Sequence, residues 1–148
     1  MRIPLVACSV LMLTLAATIR AQVAIPAQER TTLDGVFTSG QASRGGEVYR
    51  AACRSCHGDD LQGGPVQDLD DPAPALKRNG FGVSRQTVSS LYDYMVENMP
   101  YDAPGGLEER QYVDIIAFLL QENGYPAGST ELPSKIELLK TIKIVRKP

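Results

Sequence analysis

Five consecutive residues concentrate the chemistry of this chain: Cys53-Arg54-Ser55-Cys56-His57. Two thiols three apart, with an imidazole directly after the second, have the spacing of covalent c-type haem attachment. Each thiol can add across one vinyl group of a porphyrin, and the short spacer lets both reach the same edge of the ring. His57, fixed beside the second thioether, then meets the iron as proximal ligand. A neutral imidazole lets the iron cycle between its ferrous and ferric states. The same residues can also be read as a zinc knuckle or a thiol redox pair. Structural zinc takes about four ligands, and after the leader described below only Cys53, Cys56 and His57 are thiol or imidazole. A redox pair belongs near a strand-helix-strand pattern, and none is visible.

His57 is the only histidine, so a second imidazole is not available for the opposite face of an iron. Beyond the leader the methionines are Met95 and Met99. They lie in a run of Val88, Leu91, Tyr92, Met95, Val96 and Met99, whose steps of three and one are helical. Ser84 is a candidate N-cap for that helix, and Pro100 stops it. Met95 reads as core. Met99, where the helix ends and the backbone can turn, is the candidate distal ligand, and a thioether opposite histidine raises the reduction potential.

Other elements must hold these groups. Thr38-Ser39-Gly40-Gln41 has the form of a capping box and opens a helix over about Gln41 to Arg54, with Ala42, Gly45, Tyr49, Ala52 and Cys56 on one face. Gly45 and Gly46 inside a periodic stretch have two readings, flexibility near a loop or, the one favoured here, the close approach of another helix. From Gly58 to Val83 the chain is rich in Gly, Pro and Asp. A loop of that length inside a compact domain needs an object to wrap. Within it Pro72-Ala73-Pro74-Ala75-Leu76 is extended by its prolines, and a carbonyl there can fix the ring of His57. Leu107 to Asn123 is the clearest helix, with acidic Glu108 and Glu109 at its positive end, Tyr112, Ile115, Ile116 and Leu119 in one stripe, and Gly124 as its stop. The remainder has a second capping-box form, Ser134 to Glu137. It carries five basic residues between Lys135 and Lys147 against one acid, and reads as either a docking patch or a solvated tail.

Composition agrees with one cofactor-assisted domain. The 148 residues include 6% aromatics and no Trp, so a haem would supply missing apolar volume. No basic patch is interleaved with aromatics, which speaks against nucleic acid as a partner. Arg2, the 17 uncharged residues from Ile3 to Ile19, and the small residues near Ala21 form a secretory leader. The alternative is an uncleaved membrane anchor, the only reading that brings a membrane in. Without residues 1–21 the chain has 13 basic and 17 acidic residues, so its formal charge moves from −2 to −4. Cys8 leaves with the leader, and the two thiols that remain are those of the motif.

The motifs together resemble the class I, mono-haem c-type cytochromes, over roughly Gly35 to Gly128. The resemblance rests on Arg44-Gly45 and Tyr49 ahead of the cysteines, the haem motif, Pro74-Ala75-Leu76 before Gly80-Phe81, Met99-Pro100, and Tyr112 to Leu120. It implies an all-α cytochrome c fold, three main helices and long loops wrapped round one covalently bound haem. It implies that Gly45 and Tyr49 cross the last helix at Phe118, that the Pro74 carbonyl supports His57, and that Leu76 packs on the haem. The Trp that many relatives carry near Arg85 is missing, which leaves Arg78 and Arg85 as candidates for the propionates. The segment after Asn123 is similar to small exported cytochromes that accompany quinoprotein dehydrogenases. The expected layout is a signal peptide (1–21), an N-terminal extension (22–37), a cytochrome domain (38–128) and a C-terminal tail (129–148).

The expected function is that of a periplasmic electron carrier. With His57 and Met99 on both axial positions no site is open for substrate, so the chain is expected not to be an enzyme. Its expected partners are redox proteins, a dehydrogenase on one side and a terminal oxidase or another cytochrome on the other. Two other functions fit the same residues: a fixed electron-transfer subunit of a dehydrogenase or oxidase complex, and a haem sensor or peroxidase-like protein in which Met99 leaves the iron.

Overall fold

The computed structural model describes residues 29–67 and 69–148. Helix α1 spans Ser39–Ala52 and starts two residues earlier than its periodicity predicts. Thr38 caps it, its hydroxyl accepting from the Gln41 amide at 3.1 Å. The return arm of the expected capping box is not made, because the Gln41 side chain is buried and turned to the far end of the chain. Its Nε2 donates to the Leu132 carbonyl at 3.1 Å, and its Oε1 accepts from the Leu132 amide at 2.8 Å. Gln41→Leu leaves both groups of Leu132 buried without partners. At ~1–3 kcal/mol for each such group, the protein is expected to lose roughly 2–4 kcal/mol in a denaturant titration. An unchanged midpoint would mean that Leu132 is satisfied by water.

Cys53 closes α1 and begins α2, Arg54–His57. The loop that follows is fastened to itself by backbone. Gly64 and Ala73 form an antiparallel bridge, and the Leu61 carbonyl accepts from Leu76 at 2.8 Å and Lys77 at 3.1 Å. After a 3-10 turn over Val83–Arg85, helix α3 covers Val88–Asn98. Its cap is Thr87, whose hydroxyl accepts from the Ser90 amide at 3.2 Å. Ser84, the expected cap, sits inside the 3-10 turn instead. Between them Gln86 takes φ +67° and ψ −46°, with the Thr87 amide bonded to the Arg85 carbonyl. That tight three-residue turn resets the chain direction and moves the cap three residues on.

Helix α4, Glu109–Glu122, is the spine of the fold. The Gln111 side chain accepts from the Glu108 amide at 2.9 Å, fixing its first turn. The predicted stripe is buried, and so are Val113, Ala117 and Leu120, because α4 is covered on more than one side. It crosses α1 at Gly45, where an added Cβ would stand 1.8 Å from the Asp114 carbonyl oxygen. Beside the crossing the Tyr49 and Phe118 rings lie 5.2 Å apart. The buried Asp114 carboxylate receives Arg44 at 3.1 and 3.2 Å, and Arg44 also reaches Glu131 at 2.9 Å. A carboxylate enclosed this way requires such a charged partner.

The ends of the described chain pack on this core. Strand β1, Arg30–Thr31, pairs in parallel with β2, Ile142–Lys143, and Thr87 bridges Lys143 on the other side. Val36 and Phe37, at the end of the N-terminal extension, are fully buried. The solvated reading of the tail is corrected. Leu132, Leu139, Ile142 and Ile144 are buried, and α5, Ile136–Leu139, lies against α3. The basic residues between these positions project outward. The leader falls on residues 1–21, outside those described. No helix among the described residues is long and apolar enough to cross a membrane.

Candidate haem site

The five-residue motif occupies one helical turn. The amides of Cys56 and His57 both point to the Cys53 carbonyl, at 3.2 and 3.0 Å. Positions three and four apart share a helix face, so both sulfurs and the imidazole start from the same side. The turn is buttressed by Tyr49, whose hydroxyl donates to the Gly58 carbonyl at 2.6 Å. Burial pushes the Tyr49 phenol up to about 12, so it stays a donor at any physiological pH.

His57 is 7% exposed, and its Nδ1 lies 3.1 Å from the Pro74 carbonyl oxygen. A carbonyl only accepts, so Nδ1 carries the proton and Nε2 keeps its lone pair for a metal. The adjoining backbone is held by two elements. Leu61 takes the Leu76 amide, and Asn123, at the end of α4, donates from Nδ2 to the Leu76 carbonyl at 2.9 Å. Asn123 Oδ1 also accepts from the Arg78 amide at 3.0 Å. His57, Pro74 and Leu76 are thus brought together by α2, the loop and α4. Of the two arginine candidates, Arg85 is stacked 3.7 Å over the Tyr94 ring, while Arg78 is exposed.

Cys53 and Cys56 are both free thiols, each partly buried. Burial pushes the Cys53 thiol up to about 11, with the neighbouring Cys56 adding to the effect. Redox-active and metal-binding cysteines have lowered values that favour the thiolate. In the chain alone, burial therefore disfavours the Cys53 thiolate. Among the described residues no three His, Cys, Asp or Glu side chains converge to hold a metal ion.

Met99 is the first residue past α3, in extended conformation with φ −132° and ψ 147°. Its amide still donates to the Met95 carbonyl at 2.8 Å. Its carbonyl accepts from the Tyr112 hydroxyl of α4 at 2.7 Å. Met99 is therefore anchored on both sides of its Cα, and the residue is only partly buried. Met95 is buried in the core. Asn123 and Tyr112 are the supporting residues that sequence reasoning missed. Asn123 was visible only as a helix end, and Tyr112 only as one member of an apolar stripe.

The donor set, one lone pair on a buried imidazole, two free thiols on its face and apolar Leu61, Leu76 and Phe81 in the adjoining core, fits a haem. No curated protein matches the chain. The crystal structure of the sulfane dehydrogenase SoxCD from Paracoccus pantotrophus is similar at 28% identity and a TM-score of 0.43, over 62% of this chain. The match covers 52% of that chain, about half its length. A family profile described as cytochrome c oxidase, cbb3-type, subunit III matches residues 40–119, more than half of the sequence. The chain belongs to that family of c-type cytochromes, helical domains that carry haem c and transfer electrons.

Proposed function

We propose that the chain is an exported, one-electron carrier holding a single haem through thioether bonds from Cys53 and Cys56, with His57 and Met99 as axial ligands. The observation that carries this reading is the His57–Pro74 hydrogen bond, which commits Nδ1 and leaves Nε2 as the lone-pair donor. When bound, the haem iron supplies the one-electron couple. The protein's part is to hold the ligands still. Pro74, Leu61 and Asn123 fix the proximal side, and Tyr112 and the end of α3 fix Met99. Ligands that stay put in both oxidation states keep reorganisation small, and two filled axial positions leave no place for substrate. The apolar leader from Ile3 to Ile19 supports export to the periplasm, where a dehydrogenase supplies electrons and an oxidase or another cytochrome takes them.

The test is the absorption spectrum of the oxidised holoprotein. The wild type is expected to show the long-wavelength band of an iron–thioether bond. Met99→Ala is expected to lose it and to drop the reduction potential by on the order of 0.2 V, within the ~0.8 V that axial ligands span. A wild type without the band, or a variant that keeps it, overturns the assignment of Met99. A second reading, a fixed subunit of an oxidase complex, is favoured by the description of the family. Purification of the tagged chain alone rather than in a stable complex decides against it.

A further inference from the structure

The chain that follows α4 lies along α3 and is fastened at both of its ends. At the near end the Gly128 amide donates to the Phe37 carbonyl at 2.7 Å, and Gln41 holds both backbone groups of Leu132, at 3.1 and 2.8 Å. At the far end Val145 is gripped from two sides. Its amide donates to the buried Thr32 hydroxyl at 3.3 Å, and its carbonyl accepts from the hydroxyl of buried Tyr125 at 2.8 Å. The pairing of β1 with β2 lies just before it.

Between these fastenings the tail meets α3 and the turn that opens it. The Ile144 amide donates to the Gln86 carbonyl at 2.8 Å, Lys143 bridges Thr87, and Ile144 Cδ1 comes within 3.1 Å of where a Cβ on Gly82 would stand. Both α5 and β2 pack against α3, and Leu139, Ile142 and Ile144 share the core with Val88 and Leu91 of that helix. The middle of the crossing is seated less well. Residues 134–137 border an open groove of about 630 Å³ that they share with Tyr92, Asp93 and Glu109, and Leu138 is exposed. A segment with few buried contacts between firm ends opens as a unit once an end is released.

Helix α3 therefore has two holders. At its last turn α4 holds Met99 through the Tyr112 hydroxyl. At its first turn, 11 residues or roughly 16 Å away, the tail holds it. We infer that residues 132–145 are a strap that keeps the Met99 thioether at the haem site. With the strap down, α3 is pinned at both ends; with it lifted, α3 can swing about Tyr112 and turn the thioether away, which opens the distal side to a small neutral ligand. The part that concerns the iron rests on the reading of Met99 as a ligand, and the hold of the strap on α3 does not.

Hydrogen exchange and imidazole binding, both on the ferric holoprotein, test the two parts. The double variant Thr32→Val, Tyr125→Phe removes only the two hydroxyls that grip Val145, so it frees the far end of the strap without leaving a large cavity. Its Met99 amide and the other amides of α3 are expected to exchange on the order of tenfold faster than in wild type, while amides in the middle of α4 keep their rates. Imidazole is expected to bind the variant about tenfold more tightly, because apparent affinity follows the fraction of molecules in the open state. Tyr125→Phe alone serves if the double variant does not fold. Ile144→Ala, which empties a core position of the strap, is expected to move α3 exchange further, on the order of a hundredfold. Faster exchange in α3 and α4 together is a general loss of stability and overturns the proposal, as do unchanged α3 rates. Faster α3 exchange with unchanged imidazole affinity is decided by the wild-type spectrum. If the iron–thioether band is present, the strap does not govern Met99 and the proposal falls; if the band is absent, the reading of Met99 as a ligand falls and takes the iron part of the proposal with it.

Discussion

Serine at both Cys53 and Cys56 is expected to yield a chain from which acidified organic solvent strips all of its haem, where the native protein keeps the pigment in the precipitate. The two sulfurs and His57 leave from one face of a single turn, so the three bonds proposed to a haem are local to five residues. A hydroxyl in place of either thiol cannot form a thioether. With both gone, the proposed ligation leaves only His57 and Met99 to hold the haem, and denaturation would release both. The single variants are expected to retain pigment through the remaining bond. A second effect should accompany the loss. The loop from Gly58 to Gly82 has few apolar residues of its own, with Leu61 and Phe81 the main buried ones, so its order without haem depends on a handful of backbone bonds. The double variant is expected to lose protection of the Leu76 and Lys77 amides in hydrogen exchange before α4 opens. Native protein that gives up its haem to acid solvent would refute covalent attachment while leaving the family assignment standing.

The haem motif was legible because all its geometry is local. Spacings of three and four residues put Cys53, Cys56 and His57 on one face in any helical turn, whatever the rest of the chain does. The position of Met99 at the end of α3 was legible for a similar reason, since Pro100 follows it directly. The parts that were not legible depend on partners distant in sequence. Gln41 looked like the return arm of a capping box, and nothing in its neighbourhood announces that Leu132, 91 positions on, competes for its amide and wins. The tail was judged by its five cations. Its apolar residues, Leu139, Ile142 and Ile144, have the sparse spacing of a segment that touches the core at single points, and their contacts are with α3, the turn before it and β1. The start of α3 offered two hydroxyls, Ser84 and Thr87. The choice between them was made by the turn at Gln86, a positive-φ residue that is not glycine and carries no sequence signal.

The crossing of α1 and α4 links fold to function, because α4 carries both residues that reach out to the haem site. Tyr112 bonds Met99 and Asn123 bonds Leu76. Any displacement of α4 along α1 therefore moves both sides of the site together. Gly45→Ala provides that displacement. Its new Cβ would meet the Asp114 carbonyl oxygen at 1.8 Å, the Asp114 carbonyl carbon at 2.4 Å and the Ile115 amide nitrogen at 2.9 Å. All three are backbone atoms, so no side chain can rotate aside and the helices must part by about an ångström or more. Alanine's advantage over glycine in a helix is ~1 kcal/mol. Overpacking alone costs ~1–3 kcal/mol, and the shift also loosens Tyr49 on Phe118 and Arg44 on Asp114. The clash wins: a net loss of roughly 3 kcal/mol is expected, seen as a melting midpoint about 10 °C lower. The iron–thioether band should weaken below that midpoint as Tyr112 drifts from Met99. Gly46→Ala is the control. Its Cβ meets only the edge of the Phe118 ring, at 3.2 Å, which can tilt away, so helix propensity should offset most of the contact. If the two alanines prove equally stable, the close crossing at Gly45 is wrong, and α4 does not set the positions of Leu76 and Met99 together.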